Sequence, residues 1–384
     1  MQTYNPPYLT NRIQVSNKES SITESLMSNL KTAVKKELAP KVKDIDQKGE
    51  YPKAFMHRIG EIGGFGQTVP SQYGGSNQGI KKAIQVIETI SEECVNTGFI
   101  TWCQIACAWY IQNSNNQNLQ QILLREVANG EKLAGTGLSN PMKHFADIEK
   151  ISLSAEPKSG GYVINGMLPW VSNLGPGHYF AVVAQITNSD QYLMAIVSDE
   201  FKNLSLRANA KFIGLEGSGT YSCIFKDVFV PKDFILAAPC QDYIPRIKPG
   251  FILSQVGMGL GLINSCINLM KRSNKQLGHV NYFLDDQVEE LELELEKARK
   301  KTYFLADEIE NQQDNLQDWF LREVIETRLL GSELSLRAAN ATMLYAGARA
   351  YIYGNPIERK LREAYFIAIV TPALKHLKKM LSKL

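Results

Sequence analysis

The chain has 384 residues, of which 44% are hydrophobic and 21% charged, and its formal net charge is +3. That length can bury a large core in two or three domains, and the composition is ordinary for a water-soluble protein. So small a charge, with no long basic block, excludes nucleic acid as an expected partner, and the lysines near the end (Lys375, Lys378, Lys379, Lys383) read as a helix terminus that favours cations.

In chain order, residues 1–20 are polar, carry two prolines and are expected to form a loosely held arm. From Ser21 to about Lys48, Leu26, Leu30, Val34 and Leu38 recur at helical spacing, with Pro40 near a stop. A short helix from Lys53 to Ile62 ends at Gly63-Gly64, and Pro70 to Gly75 reads as a turn. Gly79 to Asn96 and Phe99 to Asn113 form a predicted helix pair, the second apolar nearly all round and therefore central. Leu119 to Asn129 is a further helix, closed by Gly130. From Gly135 to Pro231 the pattern changes to short β-branched and aromatic runs between turn residues: KISLSAEP, GYVING, YFAVVAQI, QYLMAIVS, LSLRA and SCIFKDVFVP. They predict a small antiparallel β domain. Helices return from about Pro249. There GFILSQVGMGLGLINSCINLM places Gly257, Gly259 and Gly261 in an apolar setting interrupted by Ser254, Gln255 and Asn264. This reads as close helix–helix packing rather than a membrane hairpin. Asp286 to Asn311 is charged on one face, with Leu291, Leu293, Leu295 and Ala298 assigned to the other. Asn315 to Tyr345 and Ile357 to Leu384 complete about four long helices. The expected boundaries are an arm over 1–20, a helical domain over 21–134, a β domain over 135–240 and a four-helix bundle over 241–384.

No 18-residue apolar run and no basic-then-apolar leader are present, so neither a membrane span nor a signal peptide is expected. The six scattered cysteines read as reduced, buried thiols of a cytoplasmic protein, and the five histidines have no metal spacing. There is no G-x-G-x-x-G after a strand, no Walker A motif and no G-x-S-x-G elbow. What stands out is Ala134 to Asn173. A loop of small residues leads to two strands and then Trp170-Val171-Ser172-Asn173. A Trp and a hydroxyl beside such a loop could hold the face of a flat aromatic ligand, with His144 and His178 at the flanks.

Six segments then resemble, in the right order, the acyl-CoA dehydrogenase superfamily of flavoproteins. They are IGEIGGFGQTVPSQYGG, GLSNP, YVINGMLPWVSN, FIGLEGSGTYSCIFKDVFVP, NKQLG followed by Gln287, and NPIERKLREA, and the likeness spans about residues 50 to 384. The resemblance implies a mostly α fold with a central β domain: an N-terminal helical domain, a middle antiparallel β barrel and a C-terminal four-helix bundle. It implies FAD between β domain and bundle, or FMN in a monooxygenase, in a homodimer or homotetramer. Carried over by position, Leu138 and Ser139 contact the flavin, Trp170 packs at its edge and Ser172 bonds near N5. From a partner subunit, Gly278 and Gln287 lie along the dinucleotide and Gly347 allows close backbone approach.

The departures from the family pattern concern the chemistry. Where the family carries its catalytic glutamate, Val370-Thr371-Pro372-Ala373 places Thr371, and an alkanol cannot act as a general base at neutral pH. The other family location for that glutamate reads Lys248-Pro249-Gly250-Phe251. The family's Gly-Ser-Asp near the thioester becomes His144-Phe145-Ala146, and the arginine that meets the pyrophosphate becomes Asn274. Three readings follow. One is α,β-oxidation of an acyl thioester with hydride transfer to flavin N5, the base coming from Glu88, Glu92, Glu93 or Asp242. The second is a reduced-flavin monooxygenase acting through a C4a-hydroperoxide on a non-CoA small molecule, with His144, His178 or His376 near the flavin. The third is a flavin-dependent elimination or isomerisation, or a non-catalytic binding or scaffold protein.

Overall fold

The computed structural model describes residues 25–208, 211–311 and 318–384, with the side chain of residue 318 left aside; the expected arm over 1–20 lies outside the described residues. The first helical rod runs from 25 to 48 and changes winding on the way. An α segment over 25–33 opens into a π turn at Val34–Leu38, tightens into a 3-10 turn at Ala39–Lys41 and resumes as α over Val42–Lys48. Pro40 therefore does not stop the helix. It sits in the first positions of the 3-10 turn, where a missing donor is least costly. The rod ends at Gly49, whose φ of 70° only glycine adopts without strain.

The predicted pair of central helices is Gly79–Glu93 and Val95–Gln112, broken at Cys94 (φ −147°, ψ 110°). The break is held from far along the chain. In the helix Pro356–Ile369, Lys360 donates to the carbonyls of Glu92 (3.0 Å) and Glu93 (3.2 Å), and Glu363 accepts from the Val95 amide (3.1 Å). One cation thus meets the negative end of the first helix and one anion the positive end of the second.

All six predicted strands form: β2 Leu153–Lys158, β3 Gly161–Val171, β4 Tyr179–Ile186, β5 Tyr192–Ser198, β6 Leu204–Ala208 and β7 Tyr221–Pro231. Two short ones were not anticipated, β1 Ala134–Thr136 and β8 Ile235–Ala237. The order is β6-β7-β3-β2-β4-β5-β8, with β1 also on β4. The sheet is mixed rather than purely antiparallel. Along β4, β1 pairs in parallel with Tyr179–Ala181, and β2 pairs in parallel with Gln185 and Ile186. Pairing direction is set by where the chain enters from the helical layer, which side-chain alternation does not reveal. β4 is buried on both faces. Phe180, Val182 and Ala184 enter the core of the sheet, while Ala181 and Val183 enter the core shared with the helices.

The C-terminal helices are Tyr243–Ser254, Val256–Asn281, Val288–Asn311, Asp318–Ala346, Pro356–Ile369 and Leu374–Leu381. The first begins six residues before the expected start at Pro249, which lies inside it. Pro245 falls in its first turn, where a proline needs no partner, so the pair of prolines reads misleadingly as a loop. Tyr243–Asn281 is long and apolar enough to cross a membrane, but 89% of its apolar window is buried inside the protein. Its glycines serve close packing, since a Cβ on Gly261 would lie 2.3 Å from the Glu88 carbonyl oxygen. On Val288–Asn311, Leu291, Leu295 and Ala298 are buried as expected. Leu293 is 56% exposed instead, because two residues turn it about 200° away from Leu291. The last expected helix is split at Val370 to Ala373. Pro372 disfavours a helical Thr371, and Val370 already turns extended (ψ 140°).

Candidate active site

The sheet and the helices enclose a cavity of about 460 Å³, in the size range of small-molecule sites. Its polar side comes from β1, β3 and the turn before β7. A Cβ on Gly135 would lie 2.2 Å from the Ser172 carbonyl oxygen, so glycine lets β1 close against the end of β3, where Thr136 and Ser172 form a bridge. The turn after β3 is pinned by Asn173 (φ 62°), which accepts from the Tyr51 hydroxyl (2.5 Å) and donates to the Ala134 carbonyl (2.7 Å). Ser172, Thr220 and Ser218 form a hydroxyl chain with separations of 2.6 and 2.8 Å. Trp170 lines the same cavity with 58% of its surface exposed. The opposite wall is aromatic, from Phe99, Trp102, Phe251 and Phe366.

The break at residue 371 supplies the rest. The Thr371 and Ser139 hydroxyls lie 2.8 Å apart, and the Thr371 carbonyl accepts from Gln255 Nε2 (2.9 Å). Gln255 Oε1 in turn accepts from Arg328 Nε (2.9 Å), and Arg328 also donates to the Ile367 carbonyl (2.8 Å). Arg328 is fully buried with neutral acceptors only, and burial pushes its pKa down to about 10. It remains a cation at neutral pH. Because Arg Nε can only donate, Gln255 must turn its oxygen to Arg328 and its NH₂ to Thr371.

Of the residues singled out from the sequence, Ser139, Trp170, Ser172 and Thr371 converge on this cavity. The Leu138 side chain instead enters the helical core. None of the three histidines lines the cavity. His144 Nε2 contacts the Tyr192 hydroxyl at 2.9 Å, on another face. His178 braces the Asn173 turn through the Asn173 carbonyl (2.9 Å), and burial lowers its pKa. His376 is buried behind Thr371, with the Met142 backbone beside its ring. Gly278, Gln287 and Gly347 do not line this cavity either, and Gln287 lies instead beside Tyr345, whose hydroxyl reaches Gln287 Oε1 at 3.3 Å. Residues that sequence reasoning missed are Lys143 and the aromatic wall. Lys143 sits on a short helix, Ser139–His144, masked by Pro141, and Phe99 and Trp102 read only as core.

Among the residues lining the cavity there is no Asp, Glu or His, and Lys143 is the one ionisable side chain. None of the four alternative carboxylates lines it. Glu88 is bound to Arg299 (2.7 Å) and the Tyr303 hydroxyl (2.6 Å), and Glu92 accepts from Asn268 (3.2 Å).

Burial, then Lys143, Lys248 and Lys379, push the His376 pKa down to about 4, against the pull of the Met142 backbone. Above pH ~6.5 the ring is neutral folded or unfolded and contributes no pH dependence. As pH falls from ~6.5 towards ~4 the unfolded chain takes up a proton that the folded chain refuses, so stability drops by about 2–3 kcal/mol. Denaturant titrations at stepped pH should show this loss in the wild type and not in His376→Leu; parallel pH profiles would contradict it.

In architecture this is a helical–β–helical protein with an aromatic-walled cavity between sheet and helices. The family model described as "Acyl-CoA dehydrogenase, N-terminal domain" matches residues 22–131. The chain is 24% identical to the probable acyl-CoA dehydrogenase YngJ of Bacillus subtilis over 88% of this chain and 91% of that protein. The structure of butyryl-CoA dehydrogenase from Megasphaera elsdenii superposes with a TM-score of 0.83 at 18% identity, over 100% of this chain and 99% of that one. A structure of PigA with FAD and proline gives 0.82 at 16% identity, over 100% and 98%. Residues 22–131 thus match the N-terminal domain of the acyl-CoA dehydrogenases, and along most of its length the chain is similar to members of that superfamily.

Proposed function

We propose that this chain is a flavin-dependent oxidoreductase that oxidises a small, largely apolar substrate without a carboxylate base, in the manner of the oxygen-using members of its superfamily. The observation that carries this reading is the lining of the cavity, which has no Asp, Glu or His. Thr371, at the expected glutamate position, is hydrogen-bonded to Ser139 and cannot take an α-proton at neutral pH.

The donor set fits a flavin ring. Three hydroxyls in the Ser172–Thr220–Ser218 chain share two hydrogen bonds but carry three protons, so one proton is left for a ligand acceptor. The Ser139–Thr371 pair likewise has one to spare. Trp170 offers an aromatic face, and the four-ring wall excludes water from the other side. Bound there in reduced form, the flavin would supply activation of molecular oxygen. The protein's part is to hold the ring edge by hydroxyl donors, seat the substrate against the aromatic wall and keep the 371 segment rigid through Arg328 and Gln255. The FAD-and-proline structure of PigA supports a non-thioester substrate on this fold. We propose further that Gly278, Gln287 and Gly347 serve the dinucleotide of a second copy. The exposed Tyr282, Phe283 and Tyr351 nearby provide apolar surface for that contact.

Acyl-thioester dehydrogenation is the second reading, favoured by the names of the relatives. Anaerobic titration of the flavin-loaded protein with acyl-CoAs of graded chain length separates the two. The expected result is no bleaching at any length, with oxygen uptake only when a flavin reductase supplies reduced flavin; bleaching by any acyl-CoA would overturn the proposal.

A further inference from the structure

Arg328 differs from the other buried cations. Lys360 is 2% exposed and pairs with Glu363 at 3.2 Å, and the partly buried Arg299 pairs with Glu88 at 2.7 Å. Arg328 is 1% exposed, and its acceptors are all neutral: Gln255 Oε1 (2.9 Å), the Ile367 carbonyl (2.8 Å) and the Ser332 hydroxyl. A buried cation usually has a counter-charge, because leaving water without one is costly. We infer that the uncompensated charge of Arg328 makes the aromatic cavity selective for a planar ring that carries a negative charge. Whether that ring is the reduced flavin or a phenolate-type substrate rests on the proposed function; the electrostatic effect does not.

Two routes carry the charge to the cavity wall. Gln255 turns its oxygen to Arg328 and its NH₂ to the Thr371 carbonyl (2.9 Å), so the positive end of the amide dipole points at the cavity segment. Ile367 lies in the last turn of Pro356–Ile369, and that helix contributes Phe366 and Ile369 to the lining. The helix end offsets part of the cation, since its open carbonyls amount to about −0.5 of an elementary charge. Roughly half a charge is left over.

Nothing in the lining cancels it. The cavity has no Asp or Glu, and its one ionisable side chain, Lys143, is a further cation whose partner Glu149 stands partly exposed. The Ser139–Thr371 pair keeps one hydroxyl proton to donate to an anion. Trp102 spends its N–H on Ser254 Oγ (3.0 Å), so that part of the wall offers a ring and no donor. At a separation of roughly 10 Å and an effective dielectric of about 20, half to one charge shifts a neutral-to-anion equilibrium roughly four- to twentyfold. An apolar cavity without such a charge favours the neutral ring instead.

The test uses the full-length protein without added flavin and 4-nitrophenol as probe, a planar ring whose neutral and anionic forms differ in colour. Binding is measured on either side of the probe's ionisation. The ratio of phenolate to phenol affinity should be at least about fourfold higher in the wild type than in Arg328→Gln, and Arg328→Lys should restore most of it. Melting scans show which variants are folded. Should Arg328→Gln fail to fold, Gln255→Glu, which sets a carboxylate against Arg328, takes its place and should lower the ratio likewise. No saturable binding of the probe, an unchanged ratio in the neutralised variant, or a loss that lysine does not restore would overturn the inference. A second arm compares reduced with oxidised flavin in the same variants. A parallel fall in their affinity ratio assigns the anion to the flavin, and a fall for nitrophenol alone assigns it to the substrate. Protein that binds no flavin contradicts the proposed function, and the probe still decides the role of Arg328.

Discussion

Replacing Lys360 with methionine is expected to lower the unfolding free energy by about 3–5 kcal/mol, the usual cost of stranding one half of a buried ion pair. Lys360 is 2% exposed, pairs with Glu363 at 3.2 Å and bonds the carbonyls of Glu92 and Glu93. Methionine fills the space of the stem but strands those carbonyls and leaves Glu363 with Arg359 at 3.6 Å. The damage should fall on the Cys94 break, because the same pair tethers the end of one central helix and the start of the next. Lys360→Met/Glu363→Gln keeps an acceptor for Val95 and removes the carboxylate that the single variant leaves with Arg359 alone. It should therefore lose at least ~1 kcal/mol less than the sum of the two single variants. Guanidinium titration at 25 °C measures all three; a single variant within ~1 kcal/mol of wild type would sink this account.

Gly261→Ala should cost about 3 kcal/mol, although alanine is the better helix former by about 1 kcal/mol. Sterics decide the sign. The added Cβ would stand 2.3 Å from the Glu88 carbonyl oxygen and 2.7 Å from the Glu92 amide nitrogen, both backbone atoms of a packed helix that cannot rotate aside. Gly278→Ala, on the same helix, meets nothing nearer than 3.9 Å and should be neutral or stabilising by a few tenths of a kcal/mol. Equal melting temperatures for the two variants would show that the helices separate without cost.

Much of the fold is legible because its elements bury one face at a regular period. The alternation in YFAVVAQI and QYLMAIVS finds β4 and β5, and the all-round apolar character of Val95–Gln112 places it at the centre. The failures share a cause. Prolines at residues 40, 141 and 245 are tolerated inside helical turns whose winding or position spares the missing donor, and Pro249 sits in a helix interior, whereas Pro372 does end a helix. Local pattern cannot separate these cases, because the compensating π turn or early helical position is itself a product of packing. β1 and β8 are too short for a period-two signal and exist because a neighbouring strand offers an edge.

For the site, the amino-acid sequence by itself determines the chemical inventory. It places Ser139, Trp170 and Ser172 in recognisable motifs and Thr371 where a carboxylate is expected, and those identities hold whatever the chain folds into. Only the tertiary structure decides what surrounds them. It joins Ser139 to Thr371 across 232 positions of chain. It leaves the four alternative carboxylates outside the cavity and supplies an aromatic wall from three separate helices. Motifs record local backbone and side-chain type, whereas desolvation, charge balance and proximity arise from residues distant in sequence. That is why the hydroxyl cradle can be read from the chain, while the absence of a base from the cavity emerges only once it is folded.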